Sequence, residues 1–427
     1  MLGVEARRVA VIGGVRIPFC RAHTAYARCS NQDMMTAVLQ ALVARYSLQG
    51  QRLGEVSLGA VIKHSRDFNL ARESTLSSGL APETPAFDLQ RACGTSLSAS
   101  IIIGAKISTG LIDAGIAGGT DSISDVPLVY PDAYRALLLE SSRGRSLGAR
   151  LTPWLKLRPK HFKPIFPDVM EPRTKLSMGE SMEITAKEWR LSRDEQDRLA
   201  LASHQNATRA YAEGFYDELV VEFMGVKRDN NIRTDTSLEQ LAKLKPVFDR
   251  SAAGTLTAGN STPLTDGASA VLLASEDWAR TRGLPISAYL TYSRETAVDF
   301  VAKEGLLMAP AYAVSEMLAK ARLELQDFDF YEIHEAFAAQ TLVTLKAWES
   351  EKFCRERLGR NRAMGPIDRG KLNVKGGSVA VGHPFAATGT RIVATLAKLL
   401  RDRGRGRGLI SVCTAGGMGV TAILEAA

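Results

Sequence analysis

Cys93, His334, His383 and Cys413 are the side chains of this sequence whose types and placement point to chemistry. They lie in the stretches RACGTS, HEAFAAQ, GGSVAVGHPFAATG and CTAGGMG, each of which follows a predicted strand. Cys93 stands where a strand into a turn, Ala86 to Arg91, gives way to the small-residue-rich, helical pattern of Gly94 to Ile107. The N–H groups and positive dipole end of such a helix favour the thiolate, which is the nucleophilic form of cysteine. Each of the four has a plain structural alternative: Cys93 and Cys413 as small core residues, His334 as a strand-end histidine with its bonds met, His383 as a turn residue before Pro384. Taken together they supply a nucleophile, a base, a second thiol able to exchange a proton, and a further donor.

The elements that would position these groups come twice. Arg8 to Gly13 reads as a strand, Asp33 to Tyr46 as a helix with Asn31 or Asp33 as its cap, Glu55 to Ile62 as a strand and Arg72 to Leu80 as a helix. The cysteine turn and its helix follow, then a strand at Ala114 to Gly119. From Asp266 the α/β pattern resumes. Tyr312 to Leu323 and Asp327 to Ile333 repeat the first helix and strand, Lys371 to Leu400 gives a strand, a glycine-rich turn and a small-residue helix, and Leu409 to Cys413 a last strand. Alternation of this kind predicts layered α/β structure, and two similar halves would bring the ends of equivalent elements to one face. The halves are expected at 1–140 and 267–427, with 141–266 as an intervening loop region that returns to the first half.

Composition sets outer bounds. The 427 residues are 45% hydrophobic and 23% charged, with a formal net charge of +8, which argues against disorder and suits two cores or one duplicated core. No apolar run is long enough to span a bilayer, Met1 to Gly14 lacks a signal-peptide core, and LEAA is not a peroxisomal address. Five cysteines without a pairing pattern fit a reducing compartment, so a cytoplasmic location is expected. There is no zinc spacing, no dinucleotide fingerprint after the first strand and no nucleic-acid motif; neither a metal nor a nucleic-acid partner is expected.

Five motifs in order, RACGTS, GTLTAGNSTPLTDGA, HEAFAAQ, GGSVAVGHPFAATG and CTAGGMG, resemble those of the thiolase family over nearly the whole length of the chain. His334 opening HEAF, where many thiolases carry asparagine, and the continuation HPFAATG look most like the thiolase β subunits of fatty-acid β-oxidation complexes. The resemblance implies duplicated α/β halves in an α-β-α-β-α arrangement with an inserted loop domain. It implies that His383 takes the proton of Cys93, that Cys93 becomes acylated by a 3-ketoacyl-CoA, and that Cys413 gives a proton to the departing acetyl-CoA enolate. The enolate oxygen would be held by His383 with His334 or a water that His334 fixes, and the tetrahedral oxygen by the backbone N–H groups of Cys93 and Ala415. Alanine at 415 replaces a common glycine, so a positive φ there would be costly.

For coenzyme A, which is a substrate and not a resident cofactor, the resemblance points to the loop Ala258 to Thr262, with Thr262, Ser177 and Met178 against the pantetheine and Phe337 walling its tunnel. A homodimer or tetramer and a hydratase/dehydrogenase α subunit are the implied partners. Between Arg143 and Lys175 nine Lys or Arg stand against two Asp or Glu, interleaved with Leu147, Leu151, Trp154, Leu155, Phe162, Ile165 and Phe166. Such a stretch either lies on an anionic membrane, docks a partner or packs as a basic loop on its own domain. Competing readings are a biosynthetic acetoacetyl-CoA thiolase, which uses the same residues, a 3-ketoacyl-ACP synthase, which Cys413 disfavours, and a non-catalytic acyl-CoA-binding scaffold.

Overall fold

The computed structural model describes residues 6–167 and 169–427, so position 168 of the basic stretch and the first five residues of the Met1 to Gly14 reading lie outside the described residues. Among the described residues ten strands follow in chain order: Val9–Arg16 (β1), Cys20–Arg21 (β2), Glu55–Leu58 (β3), Ala86–Asp88 (β4), Ala114–Asp121 (β5), Thr265–Ser275 (β6), Ala288–Ala297 (β7), Phe330–Ile333 (β8), Arg407–Thr414 (β9) and Met418–Glu425 (β10). They pair in the order β4-β3-β5-β6-β1-β7-β10-β9-β8, with β2 on β6. Read toward the middle, β3-β5-β6-β1 and β8-β9-β10-β7 are the same arrangement, with β4 added outside β3. The two copies meet where β1 runs antiparallel to β7, Ala10 opposite Tyr289 and Val11 opposite Ala288.

Side-chain alternation along the strands sorts the core into layers, because successive residues face opposite sides of a sheet. On β1, Ala10 and Ile12 pack with Met34, Val38 and Leu42 of the helix Asn31–Arg45. Val9 and Val11 face the other way, onto Leu97 and Ile103 of the helix Thr95–Ser108 and Ile392 and Leu396 of the helix Thr388–Arg403. In the second copy Ile410 and Val412 join this same middle layer, while Leu409 and Cys413 face Val314, Leu318, Leu342 and Val343 of the helices Ala309–Ala321 and Ala338–Glu349. The result is helix, sheet, helix pair, sheet, helix, as expected. Strands buried on both faces read as near-continuous apolar runs, as β6 does through Ala268 to Ala274.

The two middle helices approach backbone to backbone. A Cβ on Gly389 would stand 2.2 Å from the backbone nitrogen of Leu97, a distance no side chain tolerates. This contact brings together the N-terminal ends of the helices and with them the turns that carry Cys93 and His383.

Three local expectations change. β6 pairs with both β5 and β1, so the first half reaches Ser275 and the seam lies beyond the expected boundary at 267. The first helix is capped by Ser30 in a capping box with Asp33, one residue ahead of Asn31 and three ahead of Asp33, the caps expected. No strand forms at 371–377, where only Leu372 bridges Tyr331. Asn373, at φ 44°, instead donates to the Ile333 carbonyl and accepts from the Ile333 N–H through its side chain, a side-chain substitute for strand pairing.

The intervening region carries the helices Met178–Glu188 and Arg193–Ala212, the second capped by Ser192 in a box with Glu195. Its basic part folds as Leu147–Leu151 and short 3₁₀ turns packed on the preceding helix Asp132–Arg143, whose Tyr134 meets Trp154 edge-on and Phe162 at a tilt. Leu147, Leu151, Leu155, Phe162, Ile165 and Phe166 remain exposed, Leu155 at 81%. Among the described residues no helix is long and apolar enough to cross a membrane.

Candidate active site

The nucleophile turn is strained and braced. Ala92 takes φ 43°, the left-handed region that a residue with a Cβ avoids, and Cys93 follows it. Thr95 holds the turn from both sides, its Oγ1 accepting from the Arg91 N–H at 2.8 Å and donating to the Ala92 carbonyl at 2.7 Å. Gly94 is the N-cap of the helix, so Cys93 stands just ahead of the cap instead of inside the first turn.

From the second half, Gly382 at φ 101° delivers His383 to the same point. His383 Nε2 lies 3.1 Å from Cys93 Sγ, and its Nδ1 lies 2.6 Å from Thr388 Oγ1, which fixes the ring. The His334 ring packs at 4.2 Å between centroids from that of His383. Its Nδ1 is 2.8 Å from Ser378 Oγ, and its Nε2 is buried without a partner among the described residues. One ligating atom each of Cys93, His334 and His383 fall within 4.8 Å of one another, a spacing set by direct thiol–imidazole contact.

Cys413 closes the group from the end of β9, where it is 1% exposed. The loop after it directs the backbone N–H of Ala415 at the Cys93 sulfur, alongside the N–H of Cys93 itself. Positive φ falls on Gly416 at 78° and Gly417 at 70°, so Ala415 escapes the strain expected for it. Gly416 N–H donates at 2.6 Å to Glu171, a buried carboxylate from the end of the basic insertion.

Burial dominates the electrostatics. It pushes the Cys93 thiol up to about 12, against the pull of the Ala415 and Cys93 N–H groups, and His383 down to about 3 with help from the Arg391 charge. His334 is depressed well below the usual histidine range by burial, His383 and Arg391. Cys413 is raised well above the usual thiol value by burial and by its nearness to Cys93. The resting pair is therefore a neutral thiol beside a neutral imidazole, and the helix start does not by itself produce the expected thiolate. Such a pair can pass a proton from sulfur to nitrogen when a carbonyl arrives, with the Ala415 and Cys93 N–H groups ready to receive an oxyanion.

Of the residues expected around coenzyme A, Thr262 and Phe337 lie on adjoining turns beside Ser378 and His334. Ser261 bridges Phe337 in antiparallel fashion, and the neighbouring Thr262 N–H donates to the Ala336 carbonyl at 3.2 Å. Thr262 Oγ1 donates to the Ser378 carbonyl at 2.8 Å, so the hydroxyl is engaged inside the protein. Ser177 caps the helix Met178–Glu188 in a reciprocal box with Glu180, which occupies its hydroxyl as well. Phe337 is buried edge-to-face on Phe248, Met178 is partly buried against the same core, and Ala258 is exposed.

Four supporting residues escaped the sequence reading. Thr388, Ser378 and Arg391 lie in or beside the GGSVAVGHPFAATG stretch, and Glu171 lies in the insertion. The available signal was a lone arginine within the small and apolar run TGTRIVATLA, which is 2% exposed in the structure. Glu335, next to His334, is buried as well, taking hydrogen bonds from Ser203 and Asn373 at 2.7 and 2.6 Å and from the Val379 N–H at 3.1 Å.

Comparison with known proteins places this geometry. The N-terminal domain of the thiolase family matches residues 9–277 and its C-terminal domain residues 285–426. The chain is 43% identical to a 3-ketoacyl-CoA thiolase of Shewanella pealeana and 41% identical to one of Yersinia pestis, in both cases over 99% of this chain and 97% of the relative. In structure it is similar to the acetyl-CoA acetyltransferase of Bacillus anthracis, with a TM-score of 0.83 at 29% identity over 99% of this chain and all of the other. It shares its fold, at a TM-score of 0.81, 24% identity and 99% coverage, with an Ascaris suum thiolase crystallised in complex with coenzyme A. With both family domains matched in order and full-length relatives above 40% identity, the chain belongs to the thiolase family.

Proposed function

We propose that this chain is a 3-ketoacyl-CoA thiolase that cleaves 3-ketoacyl-CoA with coenzyme A in fatty-acid β-oxidation. The observation that carries the reading is the 3.1 Å contact of Cys93 Sγ with His383 Nε2 under the Ala415 N–H. His383 takes the thiol proton as Cys93 attacks the 3-keto carbon, and the N–H groups of Cys93 and Ala415 hold the tetrahedral oxygen. Scission of the C2–C3 bond leaves the acyl group on Cys93 and releases an acetyl-CoA enolate. The enolate oxygen is held by His383 and by His334, and Cys413 gives the enolate carbon its proton. Coenzyme A, deprotonated by Cys413 or His383, then attacks the thioester and releases an acyl-CoA two carbons shorter. The substrate's pantetheine runs past Met178, Thr262, Ala258 and Phe337, with Ser177 acting through its cap. The scheme uses no metal and no resident cofactor.

The full-length resemblance to proteins named 3-ketoacyl-CoA thiolase favours degradation over the biosynthetic acetoacetyl-CoA reading. Assayed on 3-ketoacyl-CoA from four to sixteen carbons, the chain is expected to cleave with a rate that rises with length and to lose turnover in Cys93→Ser. Activity confined to acetoacetyl-CoA would move the assignment to the biosynthetic reaction, and none at any length to a binding role.

The same reading carries a cytoplasmic location, a homodimeric or tetrameric core and a hydratase/dehydrogenase α subunit as partner. The exposed apolar side chains of 143–175, set among Lys and Arg, suit an anionic membrane surface. Deleting Trp154 to Phe166 should weaken flotation with phosphatidylglycerol vesicles and spare turnover; unchanged flotation would end the membrane reading.

A further inference from the structure

The buried chain Arg391, Ser378, His334 orders protons in one direction. Arg391 is 2% exposed, its nearest carboxylate is Glu332 at 3.9 Å, and its Nη2 lies 2.8 Å from Ser378 Oγ. A guanidinium has only donors, so Ser378 accepts there. Ser378 Oγ lies 2.8 Å from His334 Nδ1, and among the described residues its hydroxyl hydrogen has no other acceptor in reach. A buried hydroxyl that has already accepted from arginine directs its own hydrogen to the remaining acceptor. Nδ1 is then the unprotonated nitrogen. A neutral imidazole carries its single hydrogen on the other nitrogen, and that nitrogen, Nε2, is the one left buried and, among the described residues, unpartnered beside His383 and Cys93.

We propose that Arg391 and Ser378 are positioning residues that hold His334 in its Nε2–H tautomer, so that a hydrogen-bond donor and not a lone pair faces the reacting oxygen. This rests on the thiolase reading for the identity of that oxygen, but the tautomer itself does not. The opposite tautomer would set an acceptor against an enolate oxygen and repel it. An asparagine at 334 would need no such device, because its amide always offers an N–H; the relay belongs to the histidine. The positive charge of Arg391 also opposes protonation of either histidine, which keeps the ring in the neutral form where tautomer matters.

Two measurements test this. In protein labelled with ¹⁵N-histidine, His334 should show a protonated Nε2 and a bare Nδ1; Ser378→Ala should mix or reverse the tautomers, and Ser378→Thr, which keeps the hydroxyl, should restore them. A protonated Nδ1 in the unsubstituted protein would overturn the proposal. In steady-state thiolysis, Ser378→Ala should lower kcat by about 10- to 100-fold with little change in KM, a part of the loss seen when an oxyanion donor is removed outright. Added to His334→Asn, the same substitution should change kcat by less than about twofold, since the donor no longer depends on the relay. Equal losses in both backgrounds would mean that Ser378 only supports the fold, and would overturn the relay. Absence of thiolysis in the unsubstituted protein would strike the thiolase reading, and the tautomer would still be decided by NMR.

Discussion

The two middle helices begin alike and end in different chemistry. In the first half a residue at φ 43°, Ala92, precedes Cys93; in the second a residue at φ 101°, Gly382, precedes His383. Each turn lifts one reactive side chain out of the start of a small-residue helix, and the close approach at Gly389 sets the two side chains against each other. The surroundings differ more than the turns. Around Cys93 the supports are a threonine and backbone N–H groups. Around His383 and His334 stand Thr388, Ser378, Arg391, Glu332 and Glu335, all buried. Nucleophilic attack needs a position, whereas proton transfer needs a defined protonation state as well, and the second half supplies the polar groups that define it.

The sharpest way to break this comparison is to remove the base and leave the nucleophile. His383→Asn keeps a similar shape and should lower kcat for thiolysis by about 10²- to 10⁴-fold, the range for loss of a general base. If the acyl-enzyme formed in the first turnover at an unchanged rate, His383 would not be the group that takes the cysteine proton. A finer test addresses the resting pair. With burial pushing the thiol up to about 12 and the imidazole down to about 3, the pair rests as thiol and imidazole near neutral pH. Iodoacetamide labelling of Cys93 in the free enzyme should therefore rise about tenfold per pH unit from pH 6 to 9, because the labelled form is the deprotonated one. A plateau across that window would show a thiolate–imidazolium pair already formed.

The contrast between the halves also explains what could be read in advance. Cys93, His334 and Cys413 were legible because each sits in a short motif after or at the end of a strand, and His383 because its glycine-rich motif stands at the matching place in the duplicated order, although the strand expected before it does not form. The partners that set their state were not. Arg391 reads as one charge on an amphipathic helix until the turn at 378 is folded back against it, and Glu171 reaches Gly416 across 245 residues. Thr262 and Ser177 were legible as positions, but that their hydroxyls are taken up inside the protein was not, since capping and a bond to the Ser378 carbonyl are settled only by the surrounding backbone. The missing strand at 371–377 belongs to the same class: nothing in the run LNVKGG announces that Asn373 will replace strand pairing with its own amide.

The Glu171 contact sets a limit on how separable the insertion is. The basic stretch protrudes and invites trimming, as a module would, yet its far end is anchored to the loop that aims the Ala415 N–H. Excision that stops short of Glu171 leaves the catalytic loop tied; excision that passes it unties that loop and leaves the Gly416 N–H without its acceptor. The boundary between surface appendage and catalytic part thus runs inside the insertion, and a minimal version of this protein has to keep its last few residues.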